Sequence, residues 1–249
     1  MSHMQALRLN MLIPICFCIF AANSAEAAKY KVLEGGVENG GIVRGRITLD
    51  GPAPPPKMLK IDEDVEACGG DDRPSEELVV SNGGGIKNVV LSLEDVKEGK
   101  KWESFPDKFV YDQNKCKFVP RFLLIKPKTE GVVLNSDSVG HNFHTVSKGI
   151  YNVNKKIKAN AKMIVKKNKI RRSGRIRAKC DIHSWMGGWW IVAKTPYTVL
   201  SDDDGNFSIT DIPPGTYKLK IWHETLGETE QEVVIKPGET TKTDVVLNL

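Results

Sequence analysis

Apolar and polar positions alternate along most of this chain in short runs with a period of two. Val, Ile, Thr and aromatic residues cluster at 42–49, 87–93, 117–126, 189–193, 217–222, 232–235 and 243–247, the pattern of strands with one face in a core. Turn chemistry punctuates them: Asn82-Gly83-Gly84-Gly85, Asp204-Gly205-Asn206, Pro213-Pro214-Gly215 and Pro237-Gly238. No segment sustains a helical period. The pattern predicts an all-β chain of antiparallel sandwiches, two of them packed end to end.

At 249 residues and 40% apolar, the chain can bury one large or two small cores. The first 27 residues depart from the strand pattern. Arg8 precedes an apolar run at 11–22, and Ala25-Glu26-Ala27 offers a small-residue cleavage site. That is the form of a signal peptide, too short in its apolar part for a membrane span, so the mature chain is expected to be exported without a transmembrane segment. Three regions follow: 28–78, a hairpin running into a Pro-rich stretch; 79–195; and 196–249.

The middle region carries the chemistry. KCDIHSWMGGWW holds Cys180, His183 and Met186 spaced C-x-x-H-x-x-M, and NSDSVGHNFH places His141 after a polar turn. One thiolate, two imidazoles and a thioether form the donor set of a type 1 copper site, with Met as the weak axial ligand. A CuA centre needs two bridging thiolates, and structural zinc seldom takes Met. With the signal removed, Cys68, Cys116 and Cys180 remain. An odd count leaves one thiol, which Cys180 answers. Cys68 and Cys116 either bridge in an oxidising compartment or stay as two buried thiols. Trp185, Trp189 and Trp190 crowd the ligand loop, keeping it dry and filling core.

These segments resemble the cupredoxins, the amicyanin- and plastocyanin-like blue copper proteins. The resemblance implies a Greek-key β-sandwich holding one copper, with His141 the first His ligand, Cys180 the thiolate, His183 the second His and Met186 the axial thioether. It implies too that Asn142 ties the two ligand loops together. The C-terminal text, with DDDGNFSI and IPPGTYKLKIWHE, is similar to the transthyretin-like or carboxypeptidase-regulatory-like module, a smaller β-sandwich. That module opens with a G-x-V/I-x-G-x-V/I strand, a form found here only upstream, at 41–47, so the N-terminal segment is expected to complete the C-terminal sandwich around an inserted copper domain. In the similar exported bacterial proteins a His often follows the Pro of YDQNKCKFVP; here Arg121 stands there.

Charge changes the picture once more. Residues 155–179 hold twelve Lys or Arg and no acid, whereas the whole chain is only +5, so the remainder sums to −7. Apolar residues at regular intervals within the basic stretch predict strands with a solvated basic face, suited to an acidic redox partner such as a c-type cytochrome or periplasmic oxidoreductase. No aromatic-interleaved motif points to nucleic acid, and no triad, carboxylate pair or phosphate loop points to hydrolysis. The expected function is periplasmic single-electron transfer without catalysis. The contrasting classes are a copper delivery or cell-surface interaction protein, and a copper enzyme or nitric-oxide-binding site with an open coordination position.

Overall fold

A computed structural model describes residues 30–249; the signal peptide read at 1–27 lies outside them. Among the described residues the fold is all-β, with Val65–Cys68 the one α-helical turn, and no helix is long and apolar enough to cross a membrane.

Two sandwiches divide the strands. In the first, one sheet runs Lys162–Val165, Glu130–Asn135, Lys108–Asn114, Lys117–Val119, and the other Val153–Ile157, His141–Val146, Gly174–Lys179, Gly187–Val192, Phe122–Ile125. Alternation explains the core between them: Lys108–Asn114 buries Phe109, Tyr111 and Gln113 and turns its other residues outward. Tyr111 stacks on Phe118 at 5.2 Å between ring centroids, and Trp190 meets Phe109 edge-on at 4.9 Å.

The second sandwich sets Thr198–Leu200, Val90–Leu93, Gly215–His223 and Gly227–Ile235 against a sheet centred on Gly41–Leu49. That central strand pairs with Asn206–Ile212 on one side and with Thr240–Lys242 and Val245–Leu247 on the other. Val43, Ile47, Leu91, Tyr197, Phe207, Leu219 and Ile221 fill its core.

Four details differ from the sequence reading. Val90–Leu93 falls inside the 79–195 region expected to carry copper but pairs with Thr198–Leu200 and Gly215–His223; a lone strand's partner is invisible to periodicity. The run 117–126 is two strands in different sheets, switching at Pro120, which has no N–H for a ladder. The sandwiches are not purely antiparallel: Glu130–Asn135 lies parallel to Lys108–Asn114, and Gly187–Val192 parallel to Phe122–Ile125. Nor do they meet end to end. The outer faces of two sheets join through Val90, Phe122 and Ile191 with Leu124, Trp189, Leu200 and Trp222, because the strands at this join are apolar on both faces.

Candidate metal centre

The short motif is a tight connection between two antiparallel strands. Lys179 faces Gly187 across the ladder, so the next residues inward, Cys180 and Met186, stand opposite each other, and the Cys180 N–H donates to the Met186 carbonyl at 3.3 Å. The Met186 N–H bonds the His183 carbonyl at 3.0 Å, pinning His183 at the tip. His141 arrives from the neighbouring strand of the same sheet, at the start of His141–Val146, which pairs antiparallel with Gly174–Lys179. Buried Asn135 shapes the turn before it, donating to the carbonyls of Val139, Ile157 and Lys158.

The structure brings His141, Cys180 and His183 into one buried cluster, and Met186 is buried in the same sandwich core as Cys180. His141 and His183 are fully buried, Cys180 is 4% and Met186 2% exposed. His141 Nδ1 lies 2.9 Å from His183 Nδ1, and Cys180 Sγ 3.8 Å from the same His183 nitrogen. Metal–imidazole and metal–thiolate bonds run to about 2.0–2.3 Å, so one ion can reach all three atoms. Cys180 Sγ accepts from the backbone N–H of Asn142 at 3.3 Å and of His183 at 3.4 Å. The Asn142 carboxamide also accepts from the Asp181 N–H at 3.3 Å, tying the two ligand loops.

Two carboxylates absent from the sequence reading decide how the imidazoles point. His141 Nε2 lies 2.7 Å from Asp137 Oδ2, and His183 Nε2 lies 2.9 Å from Asp64 Oδ2. A carboxylate only accepts, so each Nε2 carries the hydrogen and each Nδ1 keeps its lone pair. Two lone pairs then face one another across 2.9 Å beside a sulfur, an arrangement that calls for a shared cation. Burial pushes the His141 imidazole below its ordinary pKa even with Asp137 bonded to it, which disfavours a proton in that place. The donor set therefore fits a metal, and a thiolate, two imidazoles and a thioether suit copper.

Asp137 does further work, accepting from the N–H groups of Lys115 at 2.5 Å and Cys116 at 2.9 Å. Its nearness to His141 in NSDSVGH was the available signal, but a turn Asp looks the same. Asp64 stands 119 residues from His183 in an acidic run that reads as solvated surface, and no sequence signal marks it. Cys68 and Cys116 are joined in a disulfide, which closes the alternative left open above; the free thiol among the described residues is Cys180. Both bridge sulfurs lie within 4.8 Å of a His183 ring nitrogen. Trp185, 9% exposed, packs 5.1 Å from the His183 ring and donates its indole N–H to the Cys116 carbonyl at 3.2 Å. Trp190 fills the sandwich core and Trp189 the join between sandwiches. His144 is a surface residue bonded to Asp181 at 2.9 Å.

Comparison with known proteins gives two kinds of likeness. Residues 190–248 match the carboxypeptidase regulatory-like domain. Among solved structures the chain is similar to a Cu-containing nitrite reductase from Thermus scotoductus SA-01, at 18% identity and a TM-score of 0.32 over 34% of this chain and 22% of that one; it thus spans about a fifth of that relative's length. It is also similar to amicyanin from Paracoccus versutus, at 21% identity and 0.30 over 37% and 88% of the two chains. The third is a purple cupredoxin from Nitrosopumilus maritimus, at 21% identity and 0.26 over 30% and 81%. No curated protein matches.

Proposed function

We propose that this is an exported type 1 copper protein that passes single electrons between redox partners, holding one copper through His141 Nδ1, Cys180 Sγ, His183 Nδ1 and the Met186 thioether. The observation that carries the reading is the pair of Nδ1 atoms 2.9 Å apart, each turned inward by a carboxylate on its Nε2, beside the Cys180 sulfur. Copper bound there supplies a one-electron couple between Cu(I) and Cu(II). The chain's own part is to hold thiolate and imidazoles fixed and dry, so that little rearrangement accompanies the electron. Ligands this deeply buried favour a carrier over a delivery protein, which must release its ion, or an enzyme, which needs an open position.

Two features support the setting. The Cys68–Cys116 bridge suits an oxidising compartment such as the periplasm. The basic stretch folds as Val153–Ile157, Lys162–Val165 and Gly174–Lys179, with Ile157, Met163, Val165 and Ile176 buried and Lys155, Lys156, Lys158, Lys162 and Arg177 exposed. Such a face steers an acidic redox protein of the c-type cytochrome kind into encounter. On the same footing we assign the copper unit to 105–193 with the segment 57–76, inserted into a second sandwich that contains Gly41–Leu49 and Val90–Leu93.

The test is to add Cu(II) and record visible absorption and electron paramagnetic resonance, for the wild type and for Cys180→Ser. An intense thiolate-to-copper band that vanishes in the variant is expected. No band, or one unchanged by the substitution, would sink the reading.

A further inference from the structure

Resting on the copper reading, we propose that Asp64 is a positioning residue of the metal centre, and that the segment carrying it is a strap clamped over His183 by the Cys68–Cys116 disulfide. The C-x-x-H spacing places the His183 ring at the loop tip but does not choose which of its nitrogens faces Cys180. A carboxylate on one side makes that choice, and Asp64 Oδ2, 2.9 Å from Nε2, sends Nδ1 toward Cys180 and His141. The same contact seals the ring's outer edge: His183 has no exposure, while the Asp64 side chain is 43% exposed. The charge at that edge makes Nδ1 a stronger donor and favours Cu(II) over Cu(I).

The strap is built to hold this position. Met58–Leu59 pairs with Arg73–Pro74 to close its base, and Ile61 and Cys68 sink into the copper sandwich's core. Asp64 takes the left-handed conformation at φ 47°, which Asp tolerates better than most residues. Its carbonyl accepts from the N–H groups of Ala67 at 3.0 Å and Cys68 at 2.9 Å. Arg73 bonds the carbonyls of Cys68 and Lys115 from opposite sides of the bridge.

The connections form a closed circuit. Asp64 binds His183 and, through its carbonyl, Cys68; Cys68 is bonded to Cys116; the Cys116 N–H donates to Asp137; and Asp137 binds His141. One covalent bridge thus links the carboxylates that orient both imidazoles.

The experiment compares wild type, Asp64→Asn, Asp64→Ala and the double variant Cys68→Ser with Cys116→Ser. In metal-free protein, long-range 1H–15N spectra read the His183 tautomer; in copper-loaded protein, chelator extraction and voltammetry read retention and potential. Asp64 is partly exposed and the Asn variant keeps its shape, so these chains fold, and a thermal melt of each checks that. The expected result is an Nε2–H tautomer in wild type, lost in Asp64→Ala together with an affinity loss of about ten- to a hundredfold. Asp64→Asn is expected to keep the geometry and raise the potential. The double variant should shift retention in the same direction as Asp64→Ala. An unchanged tautomer and retention in Asp64→Ala overturn the positioning role, and wild-type retention in the double variant overturns the clamp. A wild type with no thiolate-to-copper band refutes the copper reading instead, and the metal-free tautomer still decides what Asp64 does.

Discussion

At the scale of single residues, burial lowers the pKa of two imidazoles, His141 and His223, and the second, in the other sandwich, shows what that costs. His223 is 2% exposed, and its Nδ1 accepts from the N–H groups of Thr225 at 3.3 Å and Leu226 at 3.4 Å. Burial, with Arg121 nearby, lowers its pKa to about 4. The unfolded chain binds this proton below about 6.5, the folded chain only below about 4, so stability falls as pH drops through that window and is fully present above it. At about 1.4 kcal/mol per unit the loss reaches about 3 kcal/mol. Denaturant unfolding at pH 7.5 and pH 4.5 should show His223→Gln less acid-sensitive than wild type by about 2 kcal/mol; equal sensitivity would mean the ring takes up its proton in place. His141, Cys180, His183 and Met186 stand out in the sequence as candidates because rare donor types at fixed spacing have few other uses. Asp64 and Asp137 were not, since a carboxylate's partner is set by folding and acidic residues are common on any surface.

At the scale of elements, alternation made the strands legible and left their neighbours open. The run at 42–49 announced a strand, but its place between Asn206–Ile212 and the two C-terminal strands depends on contacts almost 200 residues away in sequence. Gly45 shows how tightly that place is specified. A Cβ there would meet the Thr243 carbonyl oxygen at 1.8 Å, where the chain crosses from Thr240–Lys242 to Val245–Leu247. Thr243 N–H bonds the Arg44 carbonyl at 2.9 Å, and Asp244 accepts from the Arg46 N–H at 3.0 Å. The backbone must move to admit a methyl group, breaking these bonds at a cost of about 2–3 kcal/mol. Gly45→Ala should therefore lower the unfolding midpoint in denaturant while leaving the thiolate-to-copper band proposed for Cys180 unchanged, since the strain sits in the other sandwich. A shifted band would show that the two units are not separable in this way.

At the scale of the whole molecule, the question is how firmly the sandwich that carries Cys180 and its neighbour are joined. The apolar contact around Ile191 and Trp222 is small, and a polar lock lies beside it. Arg121, next to Pro120, pairs with Glu224 at 2.7 Å; the two side chains are 13% and 4% exposed. Arg121 also donates to the Gly187 carbonyl at 3.1 Å, one residue beyond Met186, while Trp189 donates its indole N–H to Glu224 at 2.9 Å. Arg121 thus ties the far end of the Cys180–Met186 loop to the second sandwich. Removing one member strands a buried charge, so Arg121→Ala and Glu224→Ala should each cost about 2–3 kcal/mol, and the double variant much less than their sum. Urea unfolding followed by tryptophan fluorescence measures this, and single variants should separate one transition into two as the sandwiches lose their coupling. Additive losses with a single transition would place the joint in the apolar contact alone, and leave Arg121 as a residue that positions Gly187 and nothing beyond it.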